Sequence, residues 1–298
     1  MHSAPCRICA TASPYCVHSR ALAKLRVVTV GVLHPGEMGA ALGAVLRAKG
    51  ESILWASSGR SSATAERARA ADLEDVGTVE ELARRSDVVL AVCPPAAALD
   101  VARSVLPFDG IYVDGNAVSP ATARAIAGLA ARYADGGIVG PPPRERGTTR
   151  LYLSGEEAQH VASLFADTNV DARLVSGDVA AASAVKMTYA AWTKGTAALL
   201  LAVRAVALAE GVDETLLEEW RMSLPELPQR STVAARSAVT KGWRWVSEME
   251  EIAETFAVAG LPDGFHRAAA EIYRRSLHAK ADAEASFELV LASISSDL

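Results

Sequence analysis

The sequence predicts an α/β fold: a parallel sheet covered on both faces by helices, followed by an all-α part. Three observations lead there. Apolar, β-branched runs alternate with helical patterns from Leu25 to about Val175. The first run, Val27–Leu33, breaks into a glycine-rich turn and then an Ala/Leu-rich helix, the order of a dinucleotide-binding opening. After Gly177 the strands stop, and Ala180 to Glu210 reads as one long, almost wholly apolar helix.

The elements follow in order. Strands are expected at Arg26–Leu33, Ser52–Ala56, Val88–Cys93, Gly110–Asp114 and around Gly136–Val139, where Val and Ile cluster. Helices are expected between them at Gly39–Lys49, Ser62–Ala71, Thr78–Arg85, Ala96–Leu106 and Pro120–Arg132. Thr78-x-x-Glu81 and Ser119-Pro120 are helix starts, one a capping box and the other a cap before an N1 proline. Pro141-Pro142-Pro143-Arg144-Glu145-Arg146-Gly147 is a turn-rich connection. Strands at Leu151–Leu153 and Ala172–Val175, around a helix at Glu156–Ala166, finish the sheet. Beyond Glu214 the pattern is helical, with breaks expected at Gly211, Pro225 to Pro228, Gly242 and Gly260 to Gly264. Two domains result, 25–177 and 178–298.

Composition narrows the class. The chain has 298 residues, half of them apolar and 22% charged, which suits two globular domains. A formal net charge of −5 implies no broad basic surface for nucleic acid. The apolar stretch Ala197–Ala209 carries Arg204 and follows Lys194, so it reads as a buried helix and not a membrane span. Burial in a helical domain, in a subunit interface, or in both would satisfy it. The four cysteines form no disulfide framework, and a reducing cytoplasm is the expected compartment. Residues 1–24 read as a disordered leader or an over-extended start, in a composition also compatible with a transit peptide. Cys6, Cys9, Cys16 and His18 offer four zinc-type side chains there, but the loop is short and no second CxxC or HxxxH pair follows, so no metal is expected.

The turn Gly31-Val-Leu-His34-Pro35-Gly36-Glu37-Met38-Gly39 supplies backbone N–H groups at a helix N-terminus, where the dipole favours a pyrophosphate. A full G-x-G-x-x-G would place glycine at His34. The second strand runs into Ser57-Ser58-Gly59-Arg60-Ser61-Ser62, with no acid to bind ribose hydroxyls. Hydroxyls and a guanidinium suit a 2′-phosphate, so NADP(H) is favoured over NAD. The same residues also serve as turn and N-cap.

Three stretches in register resemble the β-hydroxyacid dehydrogenase and 6-phosphogluconate dehydrogenase superfamily, which also holds imine reductases. They are Gly31–Gly39, Asp114-Gly115-Asn116-x-x-Ser119-Pro120, and Gly177-Asp-Val-Ala-Ala-Ala-Ser183-Ala-Val-Lys186. The C-terminal stretches Lys186–Gly195 and Gly242-Trp-Arg-Trp-x-x-Glu-Met-Glu-Glu are similar to a phosphogluconate-dehydrogenase-like branch. The resemblance implies a Rossmann-type NAD(P)-binding domain followed by an all-α helical dimerisation domain, in a homodimer. It also implies a small-molecule substrate. Lys186 stands at the family's acid/base position, where partial desolvation suits a lysine to the hydroxyl proton. Asn116 stands beside the expected nicotinamide and would orient a carboxamide or a substrate hydroxyl. Cys93-Pro94-Pro95 ends the strand that meets the nicotinamide ribose; Cys93 itself reads as a packing residue.

Departures from the family pattern matter too. Ala190 replaces an asparagine four residues after the lysine. Tyr189 and Thr193 stand where decarboxylating relatives carry His and Glu, so decarboxylation is not expected, and Tyr189, Thr193 or Lys194 would supply polar contacts to substrate. Asp135–Pro142 stands at the family's substrate loop, with Gly140 kept but Val139 and Pro141 replacing a serine and a glycine. Proline removes an N–H donor, so the pocket reads as more apolar. Arg144 and Arg146 read as solvated loop charges. His266 and Trp243 read as packing residues that could line the pocket.

The reading is an NADP(H)-dependent oxidoreductase acting on a small hydroxy acid or related carbonyl compound, with a lysine acid/base. Imine reduction is the alternative among enzymes, and a non-catalytic NADPH-binding sensor is the alternative from another class. If Arg60 contacts the 2′-phosphate, Arg60→Ala weakens NADPH binding but not NADH binding. The ratio of the two dissociation constants checks this.

Overall fold

The computed structural model describes residues 27–277 and 287–295. The tail with Cys6, Cys9, Cys16 and His18 lies outside the described residues.

The sheet has eight strands in the order β3-β2-β1-β4-β5-β6-β7-β8. They are β1 Thr29–Leu33, β2 Ser52–Trp55, β3 Glu74–Asp75, β4 Val88–Ala91, β5 Ile111–Asp114, β6 Tyr133–Val139, β7 Thr149–Ser154 and β8 Val170–Leu174. Strands β1 to β6 run parallel, with β4 and β5 buried at every position, as expected of strands covered on both faces. The covering helices are α1 Glu37–Lys49, α2 Ser62–Ala70, α3 Val79–Arg85, α4 Ala98–Val105, α5 Pro120–Ala127 and α6 Ala158–Leu164. The strand order reverses between β1 and β4, so a crevice opens at their carboxyl ends.

Several expectations are corrected. The sheet is mixed, because β7 pairs antiparallel with β6. The nine residues between them are too few for the crossover that a parallel pair needs. Gly140 and Gly147, at φ +117° and +84°, turn the chain back. Strand β6 begins at Tyr133, so the helix expected to reach Arg132 stops at Ala127. The helix expected at Ala96–Leu106 is a short 3-10 turn, Pro95–Ala97, followed by α4. Strand β3 is two exposed residues, too short to leave a periodic signal.

Helix α7 runs Ala181–Ala209, followed by α8 Asp213–Ser223, α9 Leu227–Val258, α10 Gly264–Ser276 and α11 Phe287–Ser295. Gly242 lies inside α9 and does not break it. A Cβ there would come 3.4 Å from Ser276 Oγ, so the glycine lets α9 and α10 pack closely. Helix α7 is long and apolar enough to cross a membrane, yet it packs against α9, α10, α11 and β6. Its buried Arg204 forks onto Asp213 at 2.5 and 2.8 Å and reaches Ser231 Oγ at 3.0 Å. One stripe of α7 is exposed and apolar, with Trp192 at 70% and Val206 at 62%. Burial on every side of the helix is therefore not what this chain provides by itself.

The sheet and the helical layer are joined at α7's first turn. Asp135 of β6 accepts from Ser183 N at 2.7 Å and Ser183 Oγ at 2.6 Å. Ser154 Oγ accepts from Ala182 N at 2.9 Å. These side chains satisfy N–H groups that a helix start leaves open. Gly137 brings the backbones together: a Cβ there would lie 2.6 Å from Ala182 O and 3.1 Å from Lys186 Cβ. A second tie joins α9 to α5, where Glu251 accepts from Ser119 N at 2.7 Å and Thr122 Oγ1 at 2.9 Å. Gly137→Ala forces α7 off β6 and is expected to cost about 2 kcal/mol, as overpacking does. A lower urea midpoint at unchanged m-value is the check.

Candidate functional site

The nucleotide turn is built by β1 running into α1. His34 adopts φ +60°, the left-handed conformation that glycine enters freely and that histidine tolerates better than most residues. Gly36 N donates to His34 O at 2.6 Å, and Gly36 is the N-cap of α1. No side chain caps this helix. By contrast, Ser61, Thr78 and Ser119 cap α2, α3 and α5 with their own hydroxyls. The first-turn N–H groups of α1 are thus left for an anion, and Gly36, Glu37, Met38 and Gly39 line a cleft. Gly31 has another role: a Cβ there would fall 2.4 Å from Leu82 Cδ2, so it seats α3 against β1.

His34 and Arg60 tie the loops after β1 and β2 together, through His34 Nδ1 and an Arg60 guanidinium N–H. Burial and the Arg60 charge lower the His34 pKa to about 4, so the ring is neutral and accepts this bond. Arg60 Nε also reaches Ser58 O at 3.4 Å, and Arg60 N donates to Ser57 O at 3.0 Å. His34, Pro35, Ser57, Ser58 and Arg60 do not line the cleft itself; they brace its edge. Arg67, which the sequence reading missed, does line it, and its Nε lies 3.4 Å from Pro35 O.

The cleft measures about 1080 Å³ and lies between the carboxyl ends of the strands, α7 and α9. Cys93, Pro94 and Pro95 form one wall, and Lys186, Tyr189 and Thr193 form the facing one. Gly140 lines it as well, whereas Pro141 does not. At the floor, the buried Glu248 carboxylate lies 2.7 Å from Lys194 Nζ and 3.5 Å from Lys186 Nζ. Burial disfavours its charge, but the two ammonium groups hold its pKa below the ordinary value. Burial likewise pulls Lys194 down to about 8, against the attraction of Glu248. Lys194 is fixed further by Trp245, whose ring centroid is 5.7 Å from Nζ, and by Tyr273, whose hydroxyl donates to Lys194 O at 2.7 Å.

Asn116 differs from expectation. It is 2% exposed and does not line the cleft. Its Oδ1 accepts from Cys93 N at 2.6 Å and its Nδ2 donates to Asp114 Oδ1 at 2.5 Å. It shapes the turn at Cys93 instead of facing a ligand. Burial raises the Cys93 thiol to about 12, so it stays protonated at neutral pH. Charged side chains join apolar ones in its lining: Arg67, Lys186, Lys194, Arg230, Lys241 and Arg244 line the cleft with Glu37, Glu226 and Glu248, beside Val92, Ile138, Leu200 and Val233. The segment expected as a substrate loop is mostly strand β6: Gly137 packs against α7, Gly136 lies against the end of β5, and Gly140 begins the turn. Trp243 lines the cleft, while His266 packs between Phe256 and Phe265.

Two family models match parts of the chain: "NADP oxidoreductase coenzyme F420-dependent" over residues 29–117, and a domain of unknown function (DUF1932) over residues 207–276. An uncharacterised 28.5 kDa protein of Methanothermus fervidus is 30% identical over 192 residues, which is 63% of this chain and 74% of that one. A solved conserved protein of unknown function, described as structurally similar to 3-hydroxyacid dehydrogenases, is 26% identical with a TM-score of 0.61. The match covers 83% of this chain and 98% of that one. Mycobacterium tuberculosis 3-hydroxyisobutyrate dehydrogenase, solved with L-serine, shares the fold at a TM-score of 0.65 and 16% identity, over 91% of this chain and all of that one. The chain belongs to the β-hydroxyacid dehydrogenase superfamily.

Beneath the cleft, Asp114 is fully buried, and burial raises its pKa to about 7. Its Oδ2 has no hydrogen-bond partner among the described residues. The folded state therefore keeps a proton that the unfolded chain loses near pH 4, and stability falls as pH rises from there through about 7. Asp114→Asn removes that fall. Its advantage in melting temperature over the parent is expected to grow between pH 4 and pH 8.

Proposed function

We propose that this chain is an NADP(H)-dependent oxidoreductase transferring a hydride to or from a small hydroxy acid or related carbonyl compound. One observation carries the reading: the uncapped start of α1 and Lys186 line the same cleft. The amides of Gly36–Gly39 would hold the pyrophosphate. Ser57, Ser58 and Arg60, with Arg67, would hold the 2′-phosphate. Cys93–Pro95 would meet the nicotinamide ribose. The nicotinamide, when bound, supplies or accepts the hydride.

The chain's own residues do the rest. Lys186 Nζ gives or takes the proton of the substrate oxygen. Glu248 keeps the Lys186 and Lys194 ammonium groups together. Val92 and Ile138 line the same space and exclude water. Asn116 holds the backbone at Cys93. Tyr189 and Thr193 offer polar contacts to substrate.

In this reading 25–177 is the nucleotide-binding domain and 178–298 the helical domain. The exposed apolar stripe of α7 joins two subunits of a homodimer, and the compartment is the cytoplasm. A cleft rich in cations disfavours an iminium substrate, which weighs against imine reduction. Lys186→Ala separates the readings. Turnover is expected to fall by about two orders of magnitude or more, as on loss of a general acid, with NADPH affinity kept. Unimpaired imine reduction in that variant would remove the lysine's role. Tight NADPH binding without turnover on any carbonyl or imine would leave a sensor.

A further inference from the structure

The cleft is electropositive in a chain whose net charge is −5: six cations line it against three carboxylates. The imbalance is sharpest at the floor. Glu248 is shared by Lys186 and Lys194, so one carboxylate already serves two ammonium groups. Arg244, a turn before Glu248 on α9, lines the same floor, is half-buried, and makes no ion pair among the described residues. Its charge is felt there, since it helps lower the proton affinity of Lys194. Three cations around one buried carboxylate leave an excess of positive charge that an anion from outside the chain would balance.

The alternative holder of a substrate anion is weak. Pro141 has no N–H to offer and lies outside the cleft, and the backbone of β6 is paired with β5 on one side and β7 on the other. On α9, Arg230, Ser237, Lys241 and Arg244 recur at helical spacing and all face the cleft, with Arg230 and Lys241 in the more exposed part. Such a stripe draws an anion toward the half-buried Arg244.

We propose that Arg244 and Lys194 form an anion subsite for the substrate, which is therefore a carboxylate- or phosphate-bearing acid read by side chains of α7 and α9 and not by the backbone after β6. This deepens the oxidoreductase reading and rests on it. Arg244 presents the planar fork that both anions fit, and Lys194, held by Glu248, presents a point charge beside it.

Trp243 and Trp245 line the cleft and report on it by fluorescence. NADPH-saturated protein is titrated with inorganic phosphate and, separately, with glycolate. Saturable binding of at least one probe is expected, and which one names the anion. Arg244→Ala should weaken that binding about tenfold or more, as loss of a charge-assisted bond does. NADPH affinity should stay within about twofold, and Arg244→Lys should restore part of the anion binding. Arg236→Ala, on the same helix but outside the cleft, should change neither. The proposal is overturned if neither probe saturates, if Arg244→Ala binds them as tightly as the parent, or if it loses NADPH affinity in proportion, which would assign Arg244 to the cofactor. A parent protein that fails to bind NADPH overturns the oxidoreductase reading instead. Probe binding lost in Arg244→Ala would then still support the anion subsite.

Discussion

The structure depends on how one buried carboxylate holds the start of a long helix. Asp135 sits on β6, and three donors from Ser183 and Ser154 converge on it. Burial raises its pKa to about 6, and those three hydrogen bonds counter the rise. The geometry works only because Gly137 lets two backbones touch. With its first turn pinned there, α7 has no freedom to slide along the sheet. The position of the Lys186 backbone, one turn further on, follows from that contact, and Glu248 then holds its ammonium group. Glu251 repeats the logic between α9 and α5, so each of the two long helices is fastened to the sheet layer by a carboxylate.

Charge is sorted in two ways around this scaffold. Asp114, Tyr112 and Tyr133 beneath the cleft, and Cys93 in its wall, are desolvated, and desolvation drives each toward its neutral form. Inside the cleft the Glu248 carboxylate is shared between two lysines, whose ammonium groups favour its charged form. The neutral layer gives the sheet a low-dielectric backing, so the charges in front of it act on a ligand with little screening. His34 belongs to the neutral set: as an uncharged acceptor it holds Arg60, leaving that guanidinium's charge unneutralised at the edge where a phosphate is expected.

Much of this was readable in the residues. The Val- and Ile-rich strands and the glycine turn are local patterns, and they locate β1, β2, β4 and β5 to within a few residues. The 29-residue α7 was readable from its unbroken Ala/Leu run. What escaped depends on neighbours distant in sequence. The direction of β7 is set by a nine-residue connection whose glycines must turn left-handed, and the Pro-rich run alone does not specify that. Asn116 looks like a ligand contact in a strand-end motif, but its amide is engaged by Cys93 N and Asp114. Glu248 stands among the charged residues Arg244, Glu250 and Glu251 and carries no signal of its own in the sequence, since its partners lie over fifty residues away. Arg67 and Arg244 are indistinguishable from ordinary surface charges until the fold brings α2 and α9 to one cleft.

The face that α9 turns to the cleft has a bearing on evolvability. Met249 and Ile252 hold the helix in its core, while Glu251 fastens it to α5. Arg230 and Lys241 face the cleft and make no ion pair among the described residues. Exchanging them therefore costs the fold little, because no internal contact is lost. The hydride chemistry is tied to α7 and the sheet, whereas the approach to the anion subsite is lined by a helix face that can vary freely. A lineage could pass from one anionic substrate to another by substitutions along this face without passing through an unstable or cofactor-free ancestor.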